Sequence, residues 1–186
     1  MANPGDVIIN TITKETITFT KTASVTEGKL LEFRLELAPG STVPMKHVHT
    51  LQDEIFEVIH GKVNVEIGET GYVINPGEKV LMDKGKPHRW WNNNDEASVL
   101  TVSFVPALNT EDFFVEMFSL ASIGRSKPNG APTFLQAAVM CGKYNIYHPV
   151  IPVSIQKFVS ILFNILTKVV IKKKKKKVQL SIVLIF

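Results

Sequence analysis

Four residues in two short stretches are of types that bind metals. His47 and His49 are separated by one residue, Glu54 follows five positions later, and His88 lies in a second stretch between Gly77 and Asn92. Three imidazoles and one carboxylate make a donor set for a borderline divalent metal, and Fe, Mn, Zn, Ni and Cu all fit it. Such a set leaves part of the coordination sphere open to water or a chelating substrate.

Side chains at i and i+2 of a strand share a face, so His47 and His49 project together. Thr50, Leu51, Gln52 and Asp53 read as a turn, and Glu54 opens the strand at residues 55–59. Gly85-Lys86-Pro87 reads as the turn that delivers His88. Trp90 and Asn92 share the parity of His88, while Arg89 and Trp91 face the other way. Glu57 is the rival carboxylate, but its parity with Ile55 and Ile59 assigns it to an outer, solvated face. Glu54 is also the candidate catalytic base. Met45, Phe56 and Trp90 share the parity of the ligands and either wall a substrate pocket or belong to the plain core.

These residues need a scaffold of short strands. Leu31, Phe33, Leu35 and Leu37 alternate with Glu32, Arg34 and Glu36, as in a half-buried antiparallel strand. Further strands are expected at residues 55–59, 62–67, 71–74, 79–82, 88–92 and 98–105, punctuated by Gly, Pro and Asn. Residues 1–27 add edge strands at 7–9 and 16–19. Many short strands in series predict a mainly β fold, a closed antiparallel barrel or jelly roll. Past Pro106 the period becomes helical. One helix is expected from Asn109 or Thr110 to about Ser122, with Glu111 and Asp112 in its first turn and Gly124 as its stop. A second runs from after Pro132 to about Met140, and a third from about Ser154 to Ile171. The organisation is therefore a barrel with N-terminal strands (1–106), a helical extension (107–171), and a lysine-rich and apolar tail (172–186) expected to be flexible.

The stretch Gly40-(six residues)-His47-x-His49-(four)-Glu54-(six)-Gly61 resembles the first cupin motif, with one extra residue after the first glycine. Gly77-(five)-Asp83-x-Gly85-(two)-His88-(three)-Asn92 resembles the second. Asp83 replaces the family's usual proline and touches no ligand. The resemblance covers about residues 28–106, as in small single-domain bacterial cupins and quercetin dioxygenase-like barrels. It implies a cupin-type antiparallel β-barrel with a metal bound inside by His47, His49, Glu54 and His88. Some bacterial single-domain cupins carry a C-terminal extension with a similar Phe-rich helix and a connector like Arg125-Ser126-Lys127-Pro128-Asn129-Gly130.

The net charge of +4 comes from one feature. Lys172–Lys177 supply six of the 21 basic residues, and the remaining 15 face 17 acidic ones. The body is mildly acidic, which excludes a nucleic-acid surface. The single cysteine, Cys141, permits no intramolecular disulfide. Met1–Asp6 lacks an apolar secretory core, so a cytoplasmic location is expected. Residues 150–171 are apolar but interrupted by Gln156, Lys157, Asn164 and Lys168. Lys157, Asn164 and Lys168 cluster on one side, so the helix is expected to pack on the barrel or a dimer mate, with membrane contact through 150–186 as the alternative. A homodimer is expected. The function expected is that of a metal-dependent oxygenase or related enzyme acting on a small organic molecule. The alternatives are a non-catalytic small-ligand module and a membrane-associated protein.

Overall fold

The computed structural model describes residues 2–42 and 45–166. Eleven strands precede or interleave with the helices: β1 (Val7–Ile9), β2 (Thr16–Lys21), β3 (Leu31–Leu37), β4 (Val48–His49), β5 (Asp53–His60), β6 (Val63–Ile67), β7 (Thr70–Ile74), β8 (Lys79–Met82), β9 (His88–Trp91), β10 (Ser98–Val105) and, later, β11 (Ile146–Tyr147). The helices are α1 (Thr110–Ser122), α2 (Phe134–Tyr144) and α3 (residues 153–166). The strands form a six-stranded sheet in the order β1-β2-β3-β10-β5-β8, a three-stranded sheet β7-β6-β9 and a two-stranded pair β11-β4. The pairings within these sheets are antiparallel. This is the jelly-roll barrel that the alternating runs predict, followed by the expected helices.

Alternation decides which faces meet. Leu31, Phe33, Leu35 and Leu37 of β3 are buried, and the residues between them point outward. Outside, Lys21 reaches Glu32 at 3.1 Å and Arg34 reaches Glu36 at 3.1 Å. Inside, one apolar cluster joins both larger sheets, from Phe19, Phe33 and Phe104 to Val63, Val65 and Trp90. Each fully buried phenylalanine there contributes on the order of 2 kcal/mol.

α1 closes the core. Its Phe114 packs edge-to-face on Phe33 at 5.0 Å between ring centroids. Glu111, expected in the first turn of this helix, is buried there and accepts hydrogen bonds from the backbone N–H groups of Ala2 and Ala23. It ties the N-terminus to the helical extension across the chain.

α2 runs four residues past its expected end at Met140. Thr133 and Gln136 form a capping box at its start, and Asn145 caps its end in the left-handed region at φ 57°. Gly142 lets Ser160 of α3 approach α2 closely, where a Cβ would collide. Ser160 Oγ also donates to the Val139 carbonyl at 2.9 Å.

Of the two packings expected for α3, on the barrel or on a dimer mate, the described residues do not show the first. The apolar side of α3 turns away from the rest of the described chain. Gln156 (8 % exposed) and Ser160 (2 %) form the packed side instead. Gln156 Nε2 donates to the carbonyls of His148 and Ile151, and its Oε1 accepts from the His148 N–H. These buried polar atoms are paired, which makes the inverted facing tolerable. The expected continuation to Ile171 and the tail 172–186 lie outside the described residues.

Candidate metal centre

The backbone builds the site before the side chains fill it. His47 and His88 form an isolated antiparallel bridge, with the His47 N–H donating to His88 O at 2.9 Å and the His88 N–H to His47 O at 2.8 Å. Gly85, in the left-handed region at φ 83°, donates its N–H to the His49 carbonyl at 2.8 Å. The Gly85-Lys86-Pro87 turn is therefore bonded to β4, the strand that carries His49. Glu54 arrives on β5, one residue from its start.

The four side chains converge. One donor atom from each of His47, His49, Glu54 and His88 lies within 4.8 Å of the others. Ring centroids are 4.5 Å apart for His47–His88, 5.1 Å for His47–His49 and 5.5 Å for His49–His88. Glu54 Oε2 sits 2.8 Å from His88 Nε2 and 3.3 Å from His49 Nε2. The outward nitrogens are fixed on two of the rings. His88 Nδ1 lies 2.9 Å from Lys86 O and His47 Nδ1 3.2 Å from Met45 O. Donation of the His47 Nδ1–H to a carbonyl leaves its Nε2 as the free acceptor, whereas His88 Nε2 donates to the ionised Glu54 and would have to give up that proton to a metal.

The electrostatics favour a cation. Burial pushes the Glu54 carboxyl up, but hydrogen bonds from His49 and His88 and their charge outweigh burial, so it stays ionised below its ordinary range. Burial, then the neighbouring His49 and His88, bring His47 down to about 3 and keep it neutral. Burial alone would lower His88, but Glu54 and then the Lys86 carbonyl raise it. Buried His49 Nδ1 has no hydrogen-bond partner. A neutral imidazole on His47, the unpartnered buried nitrogen of His49 and the ionised Glu54 carboxylate fit a divalent transition metal.

The remaining candidates fall in different places. Phe56 and Trp90 are buried and meet edge-to-face at 6.1 Å within the apolar cluster. Met45 is 52 % exposed, and its carbonyl rather than its side chain touches His47. Glu57 lies outside, 2.9 Å from Lys79. Asn92, at the end of the second stretch, is a buried latch. Its Nδ2 donates to Glu96 O at 2.9 Å and its Oδ1 accepts from the Asn94 N–H.

Three supports escaped the sequence reading. Phe104 packs its ring against His49 at 5.4 Å. Its parity with Leu100 and Val102 on β10 carries that information. Gln52, between His49 and Glu54, donates to Pro106 O at 3.1 Å and accepts from Thr110 Oγ1 at 2.8 Å. β11 pairs with β4, and no local pattern signals that pairing.

Residues 33–104, the span holding all four donors, match the family model described as Cupin_2, cupin domain. The chain carries a cupin domain. This cupin is also similar to an oxidoreductase of Arthrobotrys oligospora, 32 % identical over 65 residues. That match covers 34 % of this chain and 26 % of the relative, so it spans about a quarter of the relative's length. Among solved structures, a cupin-superfamily sugar phosphate isomerase of Silicibacter pomeroyi shares 18 % identity over 49 % of this chain and 59 % of that one, with a TM-score of 0.43. KdgF of a Halomonas species shares 16 % over 60 % of this chain and 87 % of that one, with a TM-score of 0.47.

Proposed function

We propose that this cupin is a mononuclear metal-dependent oxygenase or related enzyme acting on a small organic molecule. The observation that carries the reading is the convergence of three imidazoles and one carboxylate within 4.8 Å inside the barrel. The similarity to a fungal oxidoreductase supports it over the matched segment. A divalent transition metal held by His47, His49, Glu54 and His88 would supply Lewis acidity and, for a redox-active ion, electron transfer.

The chain's own groups do the rest. Glu54, ionised and hydrogen-bonded through Oε2, is positioned to accept a proton from a substrate beside the imidazoles. Phe104 shields His49 from water on one side. Phe56 and Trp90, packed on each other in the core, make the barrel interior apolar, which suits an apolar or aromatic substrate. Met45 stands at the solvent-exposed side of His47, where a ligand would enter.

The test begins with elemental analysis of protein purified without a metal-chelating tag. Oxygen uptake is then followed across a metabolite panel. About one transition-metal ion per chain with substrate-dependent uptake supports the reading. Tight binding of a small molecule without turnover favours a ligand-binding module. Absence of metal from protein reconstituted with each of the five candidate ions overturns both metal-based readings.

A further inference from the structure

α3 presents an apolar face to solvent. Ile155, Phe158, Ile161, Leu162, Ile165 and Leu166 are all exposed, Phe158 at 67 % and Ile161 at 60 %. At 100° per residue they share an arc of about 140°. The opposite arc, with Gln156 and Ser160, is bonded to α2 and to the loop before α3. The facing is therefore locked by hydrogen bonds on the polar side and cannot rotate without stranding those atoms. A face of this size on one element marks an interaction site.

The chemistry of the occupant follows from the charges. Residues 150–186 contain Lys157, Lys168 and Lys172–Lys177 and no aspartate or glutamate. An apolar helix face joined to uncompensated cations complements a surface with acyl chains beneath anionic headgroups. Among the described residues no helix is long and apolar enough to cross a membrane. We propose that α3 lies flat on an anionic lipid surface, its apolar arc inserted at the headgroup boundary.

The experiment is co-sedimentation of the full-length protein with vesicles of phosphatidylcholine alone and of phosphatidylcholine with phosphatidylserine. Light scattering of the protein without lipid runs alongside. The double variant Phe158→Ser/Ile161→Ser removes apolar area at exposed positions. Phe158→Leu/Ile161→Leu is the conservative counterpart, and circular dichroism checks that both fold. Replacing Lys172–Lys177 with glutamine tests the charge. Binding is expected to be about tenfold stronger with phosphatidylserine and to weaken as salt rises. The serine pair and the glutamine run should each lose most of it, and the leucine pair should keep it. Three results would overturn the proposal. One is equal binding by wild type and the serine pair. Another is no vesicle binding by a wild-type dimer that the serine pair dissociates, which assigns the face to a second copy. The last is no vesicle binding by a monomer, which assigns it to the chain's own C-terminal segment.

Discussion

Ile146 is the cross-strand partner of His49. The two-stranded pair they belong to joins the helical extension to β4, the strand that carries His49, and the Thr50 N–H adds a bond to Asn145 O at 3.4 Å. The neighbouring Tyr147 is fully buried. Tyr147→Ala should therefore lower stability by about 3 kcal/mol. It should also weaken metal binding about tenfold, as loss of a ligand-orienting group does. Competition with a chromophoric chelator measures the second effect. Unchanged affinity in the folded variant would show that β4 keeps its geometry without β11.

Replacing any of His47, His49 or His88 with alanine should abolish most metal uptake, read by elemental analysis, while the β-sheet signal in circular dichroism persists. His88→Ala should cost the metal-free protein the most, about 3 kcal/mol, because it strands the buried Glu54 carboxylate. Glu57→Gln is the control. Its partner is Lys79 on the outer face, and metal content should not change.

Glu15 titrates inside the fold. It lies just after the β1–β2 turn, next to the segment where Gly130 packs on Thr13, and burial pushes its carboxyl from 4.5 up to about 7. A carboxyl raised in the folded state binds its proton more tightly there than in the unfolded chain. Stability from this group is therefore intact below about pH 4.5 and falls as pH rises towards 7, by about 3 kcal/mol in all. Glu15→Gln should raise the melting temperature above pH 7 and leave it nearly unchanged at pH 4. An equal shift at both pH values would assign the effect to packing.

The glycines that frame the first motif should not respond alike. Gly61 has φ 73°, and a Cβ there would meet Ser98 Oγ at 2.7 Å and Ala97 O at 2.8 Å. Gly40 has φ 78° with open space around it. Gly40→Ala should cost about 1 kcal/mol, from the left-handed backbone alone. Gly61→Ala should cost about 3 kcal/mol, since backbone must also move. Urea denaturation of the two variants gives the comparison, and equal midpoints would contradict it.

The sequence by itself determined the strands and the meeting of the four donors. A strand repeats every two residues, so the parity of Leu31–Leu37 assigned an inner face, and the parity of His47, His49 and His88 placed them on the ligand side. Gly, Pro and Asn at the turns punctuate the strands, and β1, β8 and β10 start and stop where the pattern predicts. Tertiary structure decided what covers those strands. Residues nearly a hundred positions apart meet when β11 pairs with β4, and nothing local in Ile146 or Tyr147 encodes that choice. Burial of Glu111 depends likewise on Ala2 and Ala23 arriving from the far end of the chain. The amphipathic pattern of α3 left its apolar face to the barrel, a dimer mate or a membrane, and the structure turns that face away from the barrel. Amphipathicity states only that two faces differ, whereas the hydrogen bonds of Gln156 and Ser160 to their neighbours fix which face turns inward.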